Sequence, residues 1–121
     1  MIYHNSSIDK DKILKDNKGK AGIYMWIHKE SGKIYIGSAF DLSKRLRNYF
    51  KISYLKQADY YISRALLRYS HLAFSLSIIE YIDITNLSKE DARKLILERE
   101  QYYLDFIFLE DKPNTYNILK V

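Results

Sequence analysis

The stretch Ala21-Gly22-Ile23-Tyr24-Met25-Trp26-Ile27-His28, a polar Lys29-Glu30-Ser31-Gly32, and then Lys33-Ile34-Tyr35-Ile36-Gly37 decide the fold of this chain. In an extended backbone successive side chains point to opposite faces. Ile23, Met25 and Ile27 therefore share one side of the first run and Tyr24, Trp26 and His28 the other, while Ile34 and Ile36 oppose Tyr35 in the second. Two alternating runs joined by turn chemistry predict a β-hairpin. The alternation also puts two phenols, Tyr24 and Tyr35, together on the face opposite the aliphatic residues. A cross-strand aromatic pair stabilises a sheet by up to ~1 kcal/mol, so by itself this placement requires no function.

Working downstream, Asp41 stands as an N-cap before the helical pattern Leu42, Leu46, Tyr49 and Phe50. A second helical stripe, Ile62, Ala65, Leu66 and Tyr69, covers 57–69, and the alternation in 73–82 predicts a third strand. Ser88 followed by Asp91 resembles a capping box and opens a long helix over 89–109 that Pro113 and Asn114 end, leaving 115–121 as a short closing strand. Upstream, residues 1–20 read as a polar arm with at most one helical turn and only Ile8, Ile13 and Leu14 to bury. The expected architecture is α+β in the order ββααβα plus the C-terminal strand, with 21–121 as one domain. A small antiparallel sheet, of about three strands, is flanked by helices.

Composition narrows the function classes. Lys plus Arg outnumber Asp plus Glu by 20 to 15 in 121 residues, a net charge of +5 that favours a polyanionic partner. Cysteine is absent, which removes disulfides, thiolate metal sites and thiol nucleophiles together. Twelve tyrosines stand against four glycines and one proline. No run approaches the ~20 apolar residues that cross a bilayer, so no membrane association is expected. The first twenty residues have no apolar signal core, and Asp9, Asp11 and Asp16 without any Arg argue against an imported transit peptide.

Two charged residues lie where packing alone would not put them. On the long helix Glu100 shares its face with Ile96, Leu97, Tyr103, Leu104 and Ile107, whereas Glu98 lies beside Lys94, Tyr102 and Asp105. A carboxylate on a buried stripe must be protonated, paired with an arginine, or bound to a cation. On the first helix Arg45 shares a face with Leu42 and Tyr49, while Lys44, Arg47 and Lys51 fan outward. Either its stem covers the core, or its planar fork is held for a phosphate. Trp26, His28 and His4 read as structural or surface residues, since no second His or Cys stands at ligand spacing.

Gly22-Ile23-Tyr24, then Tyr35-Ile36-Gly37 after ten intervening residues, then Arg45, Glu100 and Asn117 in that order, resemble the GIY-YIG nuclease family over about Ala21 to Leu119. The run from Tyr35 to Leu46, the Glu98-Arg99-Glu100 stretch and Tyr116-Asn117-Ile118 look most like nuclease domains of homing endonucleases encoded in group I introns, especially those of fungal mitochondria. The resemblance makes Tyr24 and Tyr35 the motif tyrosines, Arg45 the motif arginine, Gly22 and Gly37 the motif glycines, Glu100 the metal-binding carboxylate and Asn117 an organiser of the site. Tyr49 falls where relatives place Tyr or His in the site. A further His found in some homing relatives has no counterpart in Gln57-Ala58-Asp59-Tyr60, and His71 lies too far along to assign. The implied cofactor is a single Mg²⁺ or Mn²⁺ per active site, and the implied partner is double-stranded DNA. A DNA-binding region, C-terminal or separate, is implied as well, with a monomer or weak dimer and a mitochondrial location where the subgroup resemblance holds.

Phosphodiester hydrolysis then has a candidate for each need. Glu100 suits one hard cation that keeps most of its waters. Arg45 can donate to a nonbridging oxygen as charge develops. A phenol ionises near pH ~10, so a tyrosine base requires positive charge beside it. Tyr24 is favoured as base, with Tyr35 and Tyr49 placing water or phosphate, although the two motif tyrosines can exchange roles. Lys44, Arg47, Lys51, Arg64 and Arg68 offer contacts to the DNA backbone without sequence readout. The alternatives are a non-catalytic nucleic-acid-binding module that retains the fold, and a structure-specific DNA repair nuclease.

Overall fold

A computed structural model describes residues 1–58 and 60–118. Strand β1 (Ile2–Tyr3) and helix α1 (Lys10–Asp16) precede the hairpin β2 (Ala21–His28) and β3 (Ile34–Ala39). Three helices follow, α2 (Leu42–Tyr49), α3 (Ile52–Ala58) and α4 (Tyr61–Tyr69), then a 3-10 turn at His71–Ala73. Strand β4 (Phe74–Ile82) and the long α5 (Lys89–Ile107) complete the described elements. The strands form one antiparallel sheet in the order β1-β4-β2-β3.

The hairpin has the register its alternation dictates. Trp26 pairs with Tyr35 and Tyr24 with Gly37, so the aromatic side chains of both strands share one face. Tyr24, Trp26, Leu46, Tyr49, Leu66 and Phe74 fill the core on that face beneath α2, α3 and α4. Ile23, Ile36, Ile82 and Ile96 form a second core on the other, under α5. Asp41 caps α2 through Lys44 N, and Ser88 caps α5 through Asp91 N, as their positions in the sequence require.

The fold departs from the sequence reading at several points. Residues 1–20, expected as a polar arm with at most one helical turn, hold a strand and a seven-residue helix: β1 pairs with β4 through Ile2–Ser77 and Tyr3–Leu76, and Ile13 of α1 is buried as expected while Ile8 is exposed. Tyr3 and Asn17 anchor this segment, since the Asn17 amide donates to Tyr3 Oη at 3.2 Å and accepts from the Tyr81 hydroxyl at 2.6 Å. The antiparallel sheet expected with about three strands thereby gains β1 and has four among the described residues. The stripe at 57–69 is divided, because Tyr60 is extended at φ −91° and ψ 157° and restarts the helix as the N-cap of α4. Ile62, Ala65 and Leu66 are buried as their spacing predicts, but Tyr69 is exposed and lies against His28 with ring centroids 4.6 Å apart. Leu97, read as buried on the α5 stripe, is also exposed, the core side being Ala92 and Ile96. The closing strand reduces to a single parallel bridge between Ile34 and Thr115, and its last residues, 119–121, lie outside the described set.

Candidate active site

The site begins with a glycine. At Gly37 any Cβ would collide with the Tyr24 ring, so the phenol of β2 lies directly across the backbone of β3. A side chain at that position and this pose of Tyr24 are mutually exclusive. Gly22 is constrained in the same way by the Glu80 carbonyl of β4, where a bulge shifts the register between Ile23 and Tyr24. Both glycines thus serve close approach, one to a ring and one to a backbone.

Tyr24 is 1% exposed, and its hydroxyl is 2.7 Å from that of Tyr49. Helix α2 supplies Tyr49 and, one turn earlier, Arg45, whose guanidinium carbon sits 5.9 Å from the Tyr49 ring centroid. Arg45 is half-buried, and its Nε is buried without an acceptor. It is therefore more than a snorkelling stem. Tyr35, also half-buried, and Glu100, from α5 on the opposite side of the sheet, complete the group, for the Glu100 carboxylate acts electrostatically on both Tyr24 and Tyr35. The structure thus gathers Tyr24, Tyr35, Arg45, Tyr49 and Glu100 at one corner.

Burial sets the ionisation of this cluster. Desolvation raises the Tyr24 phenol above its usual value, with Glu100 adding to the rise and Arg45 opposing it. Tyr35 is raised by burial and by its neighbouring phenol, and Tyr49 by burial and by Tyr24 and Tyr35. Burial disfavours the Arg45 cation, but Tyr24, Tyr49 and Tyr54 outweigh it and raise its pKa. All three phenols are consequently neutral at neutral pH in the metal-free protein, and Arg45 alone does not make Tyr24 a phenolate.

Asn117 acts on the backbone of β3. Its Oδ1 accepts from Ile36 N and its Nδ2 donates to Ile36 O, each at 2.9 Å, which pins the backbone between Tyr35 and Gly37. Thr115 orients it by accepting from Asn117 N at 2.9 Å.

Some supporting residues escaped the sequence reading. His71 holds the carbonyl of Tyr49 through Nε2 at 2.7 Å and stacks on Phe50 at 4.8 Å, so the end of α2 is fixed by a residue of the 3-10 turn. Glu80 takes a bidentate ion pair from Arg99, Nε to Oε2 at 2.9 Å and Nη2 to Oε1 at 2.7 Å, and a hydrogen bond from the Tyr103 hydroxyl at 2.7 Å. The residue beside Glu100 is thereby tied to β4, which sets the rotation of α5. The pairing joins β4 to the helix packed on its own face across 19 residues of sequence, so no local pattern announces it.

The Arg99 fork and the Tyr103 hydroxyl hold the Glu80 carboxyl below its usual pKa, so its contribution to stability is present above the unfolded value and lost as pH falls through the lowered one. Glu80→Gln is accordingly expected to be less stable than the wild type at neutral pH. In urea denaturation that gap should close on acidification; a gap unchanged in acid would refute the assignment.

Of the predicted DNA-contacting cations, Lys44, Arg47 and Lys51 are exposed on and just after α2, and Arg64 and Arg68 are exposed on α4. The first three stand outside a cleft of about 520 Å³ that Arg64 and Arg68 line with Asn117. His28, read as structural, is buried with Nδ1 2.6 Å from Ser31 Oγ, and Trp26 is fully buried.

Comparison with known proteins defines the class. The GIY-YIG catalytic domain model matches residues 20–117. The catalytic domain of the homing endonuclease I-TevI superposes with a TM-score of 0.60 at 28% identity, covering 84% of this chain and all of that one. A glutamate-to-alanine variant of that intron endonuclease domain gives 0.62 at 27% identity, covering 84% of this chain and 96% of the other. In sequence the chain is 27% identical over 115 residues to UvrABC system protein C of Vibrio parahaemolyticus serotype O3:K6 (strain RIMD 2210633). That alignment takes in 95% of this chain but spans only 15% of the Vibrio protein. The arrangement is that of a nuclease catalytic domain. The chain belongs to the GIY-YIG family and is a GIY-YIG nuclease domain.

Proposed function

We propose that this chain is a metal-dependent endonuclease domain of the homing type, hydrolysing phosphodiester bonds of double-stranded DNA at the corner where Tyr24, Tyr35, Arg45, Tyr49 and Glu100 converge. The observation that carries this reading is that convergence: the Tyr24 and Tyr49 hydroxyls lie 2.7 Å apart with Arg45 against the Tyr49 ring, and α5, which carries Glu100, packs on β2 and β3 from the other face. The donor set fits one Mg²⁺ or Mn²⁺. Among the described residues no cluster of three or more His, Asp or Glu side chains can cage an ion. A single half-buried carboxylate instead suits a cation that keeps its waters, with Glu100 holding it. When bound, such an ion lowers the pKa of coordinated water and neutralises charge on the phosphate and the leaving oxygen.

The chain's own residues do the rest. Arg45, anchored against Tyr49, presents its charge to a nonbridging oxygen and gains attraction as the transition state accumulates negative charge. Tyr24 or Tyr35, in its minor phenolate form, accepts the proton of the attacking water and becomes the neutral phenol, and Tyr49 steadies Tyr24 through their shared hydrogen bond. Because burial keeps the phenols neutral, cleavage should climb with alkalinity. The logarithm of the rate is expected to gain about one per pH unit between roughly pH 7 and 9, and a flat profile would remove tyrosine from the base role. Arg45→Lys keeps the charge but loses the fork, and cleavage should fall about a hundredfold with the circular dichroism spectrum unchanged.

Supercoiled plasmid incubated with the domain and Mg²⁺, Mn²⁺ or EDTA tests the reading. Nicking or linearisation with either ion and none with EDTA supports it, whereas cutting that persists in EDTA overturns the metal dependence. The specific kind of nuclease and an organellar location are parts of the same proposal. The similarity to UvrABC system protein C accompanies a second reading, a structure-specific repair nuclease. Preference for bubble or nicked DNA over a plain duplex would select it.

A further inference from the structure

Beside the catalytic corner lies a cleft of about 520 Å³ between the hairpin turn, α4 and the C-terminal segment. Among the described residues its charged side chains are cations, each laid over an aromatic ring. Lys33 Nζ is 4.7 Å from the Tyr116 centroid, Arg64 Cζ is 5.7 Å from that of Tyr61, and Arg68 Cζ is 5.2 Å from that of Tyr69. No carboxylate is among the described residues that line it. We propose that this cleft is a nucleotide subsite, taking an unpaired nucleotide of the DNA strand with its base against the tyrosine rings and its phosphate on Lys33 and Arg68. The proposal rests on the DNA-endonuclease reading and adds to it a place for a strand that leaves the duplex.

The chemistry follows from the lining. A groove that only tracks the backbone of a duplex needs cations, whereas single-stranded nucleic acid is held by cations combined with aromatic or guanidinium planes on which bases stack. Here the planes and the charges come as matched pairs, and the volume falls within the ~300–1,000 Å³ range of small-ligand sites. Tyr61 and Tyr69 are about half exposed, at 53% and 42%, so each keeps surface for a base.

The position also fits. His28, which lines the cleft, is on the same face of β2 as Tyr24 and four residues along, about 13 Å in an extended strand. Lys33 is two residues from Tyr35, about 7 Å. Successive phosphates of one duplex strand advance ~3.4 Å along the axis, so the subsite would receive a nucleotide roughly two to four positions from the bond being cut. Asn117 touches both places, since it lines the cleft and holds the backbone of Ile36 between Tyr35 and Gly37. A nucleotide seated in the cleft would therefore bear on the strand that carries the catalytic phenol.

Fluorescence anisotropy in EDTA with a labelled ten-nucleotide oligothymidylate and a blunt duplex of equal length isolates binding from cleavage. Two double variants are compared with the wild type, each checked by circular dichroism. Tyr61→Ala with Tyr69→Leu removes planes, and Lys33→Gln with Arg68→Gln removes charges. The first pair should weaken oligothymidylate binding about tenfold or more and leave the duplex unaffected. The second should weaken both and reduce the salt dependence of binding. Loss confined to the charge variant would overturn the proposal in favour of plain backbone contact. Failure of the wild type to bind oligothymidylate, or indifference of both variants, would overturn it outright. A wild type that binds oligothymidylate through these residues yet never cuts plasmid would leave the subsite standing and refute the nuclease reading.

Discussion

Glu100→Gln is expected to reduce plasmid cleavage by about a thousandfold or more, a loss of ~4 kcal/mol in transition-state stabilisation, while DNA binding in EDTA survives. The substitution keeps the shape of the side chain and removes only its charge, so a folding defect is not the expected cause. Circular dichroism and thermal melting should stay close to wild type, since Glu100 is half-buried at the sheet edge of α5 instead of being sealed within it. A second readout follows from electrostatics. The carboxylate raises the pKa of both Tyr24 and Tyr35, so in metal-free Glu100→Gln these phenols should ionise at lower pH, observable by NMR of carbon-labelled tyrosine. Lost cleavage with unshifted phenols would mean that Glu100 does not face the corner at all.

Gly37→Ala carries the largest expected effect on folding. The added methyl would occupy the volume of the Tyr24 ring. That ring has little room to retreat, because Tyr24 is 1% exposed, bonded to Tyr49 at its hydroxyl and packed edge-on to the Tyr49 ring with centroids 5.8 Å apart. Overpacking of this kind costs about 3 kcal/mol, and here it would also displace a phenol of the site. Chemical denaturation should show the loss, and a double-mutant cycle identifies its cause. In a Tyr24→Ala background Gly37→Ala should cost far less, since the ring it strikes is gone. Equal cost in both backgrounds would place the strain in the β3 backbone instead.

The parts of this molecule that could be read in the sequence are those where cause and effect sit close together along the chain. The hairpin follows from the alternation in 21–37, and the starts of α2 and α5 follow from Asp41 and Ser88, each of which caps its own helix three residues on. The motif residues could be read because Arg45 and Glu100 broke an apolar pattern, a signal that needs only helical periodicity. What escaped depends on partners far apart in sequence. Strand β1 is two residues long and acquires its identity only by pairing with Leu76 and Ser77. Glu80 and Arg99 are 19 residues apart, and Tyr49 is held by a histidine 22 residues later. Leu97 failed for a different reason. The stripe on α5 is narrower than periodicity alone suggests, because only the side over β2 and β3 is covered.

The clamp of Asn117 on Ile36 bears on more than the corner it steadies. Strand β3 is an outer strand of the sheet, and outer strands offer exposed amide and carbonyl groups to any extended peptide that comes by. One asparagine side chain, bonded to both the N–H and the C=O of Ile36, imitates a neighbouring strand for a single residue and occupies that margin. Tyr116 N and the Asn114 carbonyl do the same at Ile34. The segment that pins the backbone beside Tyr35 thus also covers this margin of the sheet, so loosening it would expose a pairing edge as well as disturb the corner.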